Sequence, residues 1–260
     1  MKISSRNAAF QQWQALLTNR TKRHRSGEFL VHGVRPITLA VEHNWPVSTL
    51  IYDMSRPLST WARGILDAGP ARQVAMAPEL LRELSEKDED APELIAVAAM
   101  PDDDLSRIEP GLVVVADRMS SPGNIGTLVR SADAFGARGV IVTGHAADPY
   151  DPRSVRASTG SLFALPVIRQ PGPDPVLAWA HGFTVVGTDE KGEADIADVD
   201  LTGRVLLAIG NETTGLSSGW REACDIMARI PITGAASSLN AATAATVVLY
   251  EAARQRQRQR

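Results

Sequence analysis

Three short polar clusters hold the residue types that could do chemistry: Asn124-Ile125-Gly126 with Arg130, Gly210-Asn211-Glu212, and Ser238-Leu239-Asn240. Each lies beside an apolar run. Glycine lets main chain approach a ligand closely, and Asn and Ser offer hydrogen bonds without a fixed charge. The chemistry implied is a backbone-lined pocket for a polar cofactor and a hydroxyl substrate, rather than a metal centre. Taken singly, these residues also have ordinary roles: Asn124 and Ser238 as helix caps, Glu212 as a solvated loop acid and Arg130 as a surface cation.

Other chemistries lose support. The single cysteine, Cys224, excludes an internal disulfide and a Cys-cluster zinc site, and reads as a small buried hydrophobe. His24, His32, His43, His145 and His181 share no i, i+4 spacing, so no metal is expected. The glycine fingerprint of dinucleotide-binding folds is replaced by Ser121-Pro122-Gly123-Asn124-Ile125-Gly126. Gly210 and Gly215 have the outer spacing of a phosphate loop, but Leu216 stands where the lysine is needed.

The elements that must position these clusters follow from periodicity. Helical spacing of Phe10, Trp13, Leu16 and Leu17 predicts a helix over 4–19, capped by Ser4 or Ser5 and leading into a basic loop, 20–25. Strands at 29–31, 47–52, 74–76 and 94–98 alternate with helices at 36–42, 61–66 and 79–84, giving a small α/β domain. Residues 100–111 have linker composition. Near-continuous apolar runs at 112–116, 139–143, 166–168, 183–188, 205–209 and 226–230 then predict a parallel sheet covered on both faces. Helices fill the gaps at 125–135, 152–159, 175–180, 218–223 and 240–254, and the Arg/Gln-rich end reads as a frayed helix terminus. The division expected is 1–104 and 105–260.

The net charge of −3 hides an asymmetry. Lys2, Arg6, Arg20, Lys22, Arg23, Arg25 and Arg35 face only Glu28 in the first 36 residues, whereas Asp88-Glu89-Asp90 and Asp102-Asp103-Asp104 make the middle acidic. The basic end suits nucleic acid and the acidic middle would repel it. Apolar runs are too short to span a bilayer, and no charged-then-apolar leader opens the chain, so a cytoplasmic location is expected.

Taken in order, the three blocks 117–136, 208–217 and 230–251, with a looser one at 155–166, resemble the SpoU/TrmH type of RNA ribose 2′-O-methyltransferase within the SPOUT superfamily. The resemblance covers about 112–254. Residues 1–100 look like the ribosomal-protein-like RNA-binding domain that often precedes it, through Gly27-Glu28-Phe29-Leu30-Val31-His32-Gly33. It implies a C-terminal parallel-sheet domain tied in a trefoil knot, S-adenosylmethionine as cofactor, and a homodimer. Gly210, Ile230 and Leu239 would cradle the cofactor by main chain, with Thr188 on its adenine side and Ser238 beside it. Asn124, Arg130, Glu212, Ser238 and Asn240 would form the catalytic set, with Asn124 and Arg130 reaching the site from the partner subunit. Arg20, Arg23, Arg25 and Arg130 would contact RNA. Large-subunit ribosomal RNA is the expected substrate. Transfer RNA is the alternative, followed by a non-catalytic RNA-binding assembly role.

Overall fold

Apolar spacing near the N-terminus produces helix α1 (Ala8–Thr18), which buries Phe10, Trp13, Leu16 and Leu17. Its cap is Asn7 rather than Ser4 or Ser5: the Asn7 side-chain oxygen accepts from the Phe10 amide at 3.0 Å. In this computed structural model, which describes residues 1–85 and 91–259, the chain forms two compact units. The acidic triplet Asp88-Glu89-Asp90 lies outside the described residues.

The first unit continues from the short strand β1 (Lys2–Ile3) and α1 into α2 (Arg20–Ser26), β2 (Glu28–His32), α3 (Val34–Glu42), β3 (Val47–Asp53), α4 (Thr60–Asp67), β4 (Arg72–Met76), α5 (Pro78–Ser85) and β5 (Leu94–Ala99). The expected basic loop is therefore a helix. Asn19 caps it, accepting from the Lys22 amide at 3.0 Å, and Gly27 ends it in the left-handed region at φ +66°. The sheet runs β1-β4-β3-β5-β2, with β5 antiparallel to both its neighbours. One face packs Phe10, Trp13 and Leu16 of α1 and Leu81 and Leu84 of α5 against Leu30, Ile51, Val74, Ile95 and Val97.

After a 3-10 turn at Leu105–Arg107 come β6 (Leu112–Asp117), α6 (Pro122–Ala134), β7 (Gly139–Thr143), α7 (Pro152–Ser158), β8 (Val167–Gln170), α8 (Pro173–Trp179), β9 (Thr184–Thr188), β10 (Ala194–Asp195), β11 (Val205–Ile209), α9 (Ser218–Ala223), β12 (Ile226–Arg229) and α10 (Ala241–Gln257). The sheet order is β10-β12-β9-β11-β6-β7-β8 and every pair is parallel. Because β-strand side chains alternate, Val113 and Val115 join Ile141, Ile168, Leu206, Ala208, Val176 and Trp220 in one core. Helices α6 and α10 pack together elsewhere in this unit, through Ser131 Oγ and Thr246 Oγ1 at 2.7 Å and an edge-on Phe135–Tyr250 pair at 5.9 Å. No helix among the described residues is long and apolar enough to cross a membrane.

Two expectations change. The segment 100–111 is pinned, not free: Asp103 pairs with Arg169 at 2.6 Å and Asp104 caps the 3-10 turn through Ser106. The C-terminal helix is not frayed from Arg254 onward, since Arg254 pairs with Glu251 at 2.6 Å and Arg256 donates to the Leu201 carbonyl at 2.9 Å. The two compact units are each built from two stretches of chain. The first unit is Met1–Pro101 together with Tyr150–Ala164, and the second is Asp102–Pro149 together with Leu165–Arg260. Aromatic burial explains the return: Phe29 lies 4.9 Å from Tyr150 and 6.3 Å from Phe163, and Trp45 meets Phe163 edge-on at 5.1 Å.

Candidate active site

In the second unit the chain goes from β6 to β7 and β8 on one side, then crosses to β9 on the other. The order of strands thus reverses between β6 and β11. Open parallel sheets bind ligands outside the carboxyl ends of their strands at such a point. Thr188 ends β9, Gly210 follows β11 and Ile230 follows β12, so these three positions lie at the carboxyl ends of neighbouring strands. The Thr188 hydroxyl donates to the Ala208 carbonyl at 3.3 Å.

The polar clusters converge there. Asn124, in the first turn of α6, donates from Nδ2 to Glu212 Oε1 at 2.5 Å, and its Oδ1 accepts from Asn240 Nδ2 at 3.3 Å. Asn240 simultaneously caps α10, accepting from the Ala242 and Thr243 amides at 3.0 and 3.2 Å. Ser120 donates to the second Glu212 oxygen at 3.4 Å. One hydrogen-bonded chain therefore joins all three motifs. Asn124 thus meets Glu212 and Asn240 within its own chain. Asn124 is not a cap: Ser121 caps α6, accepting from the Asn124 amide at 3.4 Å.

Gly210 is buried beneath the turn that follows it. An added Cβ would lie 2.3 Å from the Gly215 carbonyl carbon and 2.4 Å from the Leu216 nitrogen, so glycine is required by that close approach. Asn211 and Gly215 exchange main-chain bonds at 3.0 Å in both directions. Those amides are used internally, which is why the outer spacing of a phosphate loop does not make one here. Asp117 anchors the far end of the turn, accepting from the Ser217 amide at 2.7 Å and from Thr143 Oγ1 at 3.1 Å. Trp220 Nε1 donates to that same threonine hydroxyl at 3.1 Å. Asp117 and Ser120 lie within the sequence blocks, yet nothing in their spacing singled them out, and Asn211 was marked only as part of its polar cluster. Their roles depend on β6 and β11 being neighbours.

Residues 231–240, including Ser238 and Leu239, are exposed throughout. Arg130 is exposed on α6. The described residues also hold no group of three or more His, Cys, Asp or Glu able to bind a metal. Cys224 is half-buried, and burial followed by the Asp225 charge pushes its thiol up to about 11.

In the first unit Arg20 and Arg25 are exposed, but Arg23 is not available to RNA. It is 2% exposed, donates from Nη1 to the Leu16 and Leu17 carbonyls at 2.7 and 3.2 Å, and pairs with Asp151 at 3.6 Å. The RNA-contact assignment of Arg23 is corrected accordingly: its guanidinium ties α1, α2 and the returning segment together. Exposed Lys22 and Arg25 instead border a groove of about 530 Å³ between α1 and α2, with Gln11 and Gln12 on its other wall.

Residues 111–250 match the SpoU rRNA Methylase family, and residues 7–96 match the SpoU L30e-like domain. This chain belongs to the SpoU rRNA Methylase family. Among its relatives, the 23S rRNA (uridine(2479)-2′-O)-methyltransferase of Streptomyces viridochromogenes is 60% identical over 98% of this chain and 92% of its own. The 23S rRNA (guanosine(2553)-2′-O)-methyltransferase RlmP of Bacillus subtilis is 29% identical over 95% of this chain and 96% of its own. The crystal structure of the SpoU methyltransferase AviRb from S. viridochromogenes in complex with AdoMet superposes with a TM-score of 0.93 at 60% identity, covering 97% of this chain and 99% of that one. SpoU family membership accounts for why three separated motifs share one sheet edge.

Proposed function

We propose that this chain is an S-adenosylmethionine-dependent RNA ribose 2′-O-methyltransferase acting on large-subunit ribosomal RNA as a homodimer. The observation that carries the reading is the hydrogen-bonded chain Asn240–Asn124–Glu212 at the carboxyl edge of the sheet, beside Thr188, Gly210 and Ile230. The donor set there fits the methyl donor. It offers main chain, amides and a carboxylate, with no fixed cation inside the hydrogen-bonded chain to repel a sulfonium. Main chain at Gly210, Ile230 and Leu239 would hold the adenosine and methionine parts, with Thr188 on the adenine side and Ser238 alongside. A trefoil knot through the stretch 230–240 belongs to the same reading.

When bound, the cofactor would supply an electrophilic methyl group, which takes the place of the proton on the ribose 2′-hydroxyl. The chain's own residues must align that oxygen and hold it dry. Glu212, Asn124, Asn240 and Ser238 orient the hydroxyl. Arg130 stays protonated, because a guanidinium does not give up its proton in proteins. Its role is to grip the target phosphate and stabilise the alkoxide as it develops. Its exposed place on α6, with Val247 and Tyr250 exposed on α10, suits delivery to a neighbouring protomer's site. Exposed Arg20, Lys22 and Arg25 supply phosphate contacts in the first unit.

The test is to map ribose methylation on ribosomal and transfer RNA incubated with S-adenosylmethionine and either the natural chain or Arg130→Ala. Methylation of one large-subunit nucleotide, lost in Arg130→Ala with cofactor binding intact, is expected. Methyl transfer to transfer RNA alone would replace the ribosomal substrate. No transfer to either RNA would leave an assembly role.

A further inference from the structure

We infer that Arg118 is a positioning residue for the methyl-donor site, clamping the turn that carries Gly210 and Glu212. This rests on the cofactor reading above. Arg118 sits just after β6 with φ +53°, a left-handed conformation that an arginine adopts only at a cost and that glycine or asparagine adopts readily. An arginine there must be held by its surroundings.

It is held at both ends by one turn. The Arg118 carbonyl accepts from Asn211 Nδ2 at 2.8 Å, and its guanidinium donates from Nη2 to the Gly215 carbonyl at 3.1 Å. The first and last residues of the turn are thus bracketed by a single residue of a neighbouring strand. Asp117 aligns the guanidinium, with Oδ2 lying 3.3 Å from Arg118 Nε and 2.7 Å from the Ser217 amide. Space for the side-chain stem is left by Gly144, where an added Cβ would lie 2.8 Å from Arg118 Cγ.

Glu212 lies inside the bracketed turn, and Gly210 is covered by its end. Loosening Arg118 therefore loosens the wall of the donor site and the carboxylate in the same movement, while touching neither ligand directly.

The experiment compares Arg118→Gly and Arg118→Lys with the natural full-length chain, by calorimetric titration of S-adenosylmethionine and by thermal unfolding. Arg118→Gly removes the clamp and relieves the backbone. Its melting temperature should equal or exceed that of the natural chain while the cofactor dissociation constant rises about tenfold, the scale of one lost charged hydrogen bond. Arg118→Lys keeps one donor and should fall between the two in affinity. Amide exchange at Asn211 and Gly215 should quicken in Arg118→Gly with β6 and β11 unchanged. Equal cofactor affinity in all three chains overturns the clamp, as does a parallel fall of melting temperature and affinity in Arg118→Gly. A natural chain that takes up no S-adenosylmethionine instead removes the reading beneath it.

Discussion

Replacing Arg23 by alanine should unfold the first unit far more easily without being a nucleic-acid phenotype at all. The guanidinium is buried between α1 and α2, where it satisfies the Leu16 and Leu17 carbonyls and faces Asp151. Truncation leaves the Leu16 and Leu17 carbonyls without that donor and takes one of two cations from Asp151, which keeps Arg153 at 3.0 Å. Breaking a buried pair in this way costs about 3–5 kcal/mol, against a total stability of about 5–15 kcal/mol for a typical domain. With a urea slope of about 2 kcal/mol per molar, the midpoint should fall by roughly 2 M. Urea titration of chains in which Trp179 and Trp220 are replaced by phenylalanine, followed by the fluorescence of Trp13, Trp45 and Trp61 in the first unit, reads this. Arg25→Ala removes an equal charge two residues away on the exposed side and should stay within about 0.5 kcal/mol of the natural chain. The roles reverse in RNA binding: Arg25→Ala should reduce the salt dependence of affinity by the share of one phosphate contact, roughly 0.7 to 0.9 in the log–log slope. Arg23→Ala, assayed where it is folded, should leave that slope alone. Identical urea midpoints for the two variants would falsify the structural role given to Arg23.

Gly210→Ala forces a carbon to within 2.3 Å of the Gly215 carbonyl carbon, so the turn must move. A loss of about 1–3 kcal/mol in chemical denaturation is expected, together with weakened cofactor binding. Gly203→Ala, which meets nothing within 4 Å, should do neither. For Cys224, burial and the Asp225 charge favour the neutral thiol, with its pKa raised from 9.0 to about 11. The folded state thus gains relative stability that is fully present below pH 9 and lost as pH rises through about 11. Alkylation by iodoacetamide should be slow at pH 8 and accelerate steeply toward pH 11; a fast reaction at pH 8 would contradict this environment.

Much of the second unit was legible because a parallel sheet covered on both faces writes itself as apolar runs, and β6, β7 and β11 do so almost without interruption. The meeting of Asn124, Glu212 and Asn240 was legible only through the ordered motifs, since no local spacing links residues so far apart. Helix α2 was not legible as a helix. Arg-Thr-Lys-Arg-His-Arg-Ser carries no apolar stripe, and its helical state comes from the Asn19 cap, the Gly27 stop and the burial of Arg23. The inward turn of that one arginine among several depends on the α1 carbonyls and on Asp151, which periodicity cannot register. Strands β1 and β10, two residues each, are too short to leave a pattern. Arg118 carried no signal of its own, because its φ of +53° is set by the turn it grips.

The return of Tyr150–Ala164 to the first unit has a consequence for the order in which the chain can mature. As the polypeptide leaves the ribosome, Phe29 and Trp45 emerge long before Phe163, and Arg23 before Asp151. Their packing partners do not exist until β6, α6 and β7 have already been made. A nascent chain halted after Pro101 would carry a sheet with an aromatic face still bare. The N-terminal unit is thus a late finisher despite being synthesised first, and a fragment cut at the apparent linker inherits that exposed face.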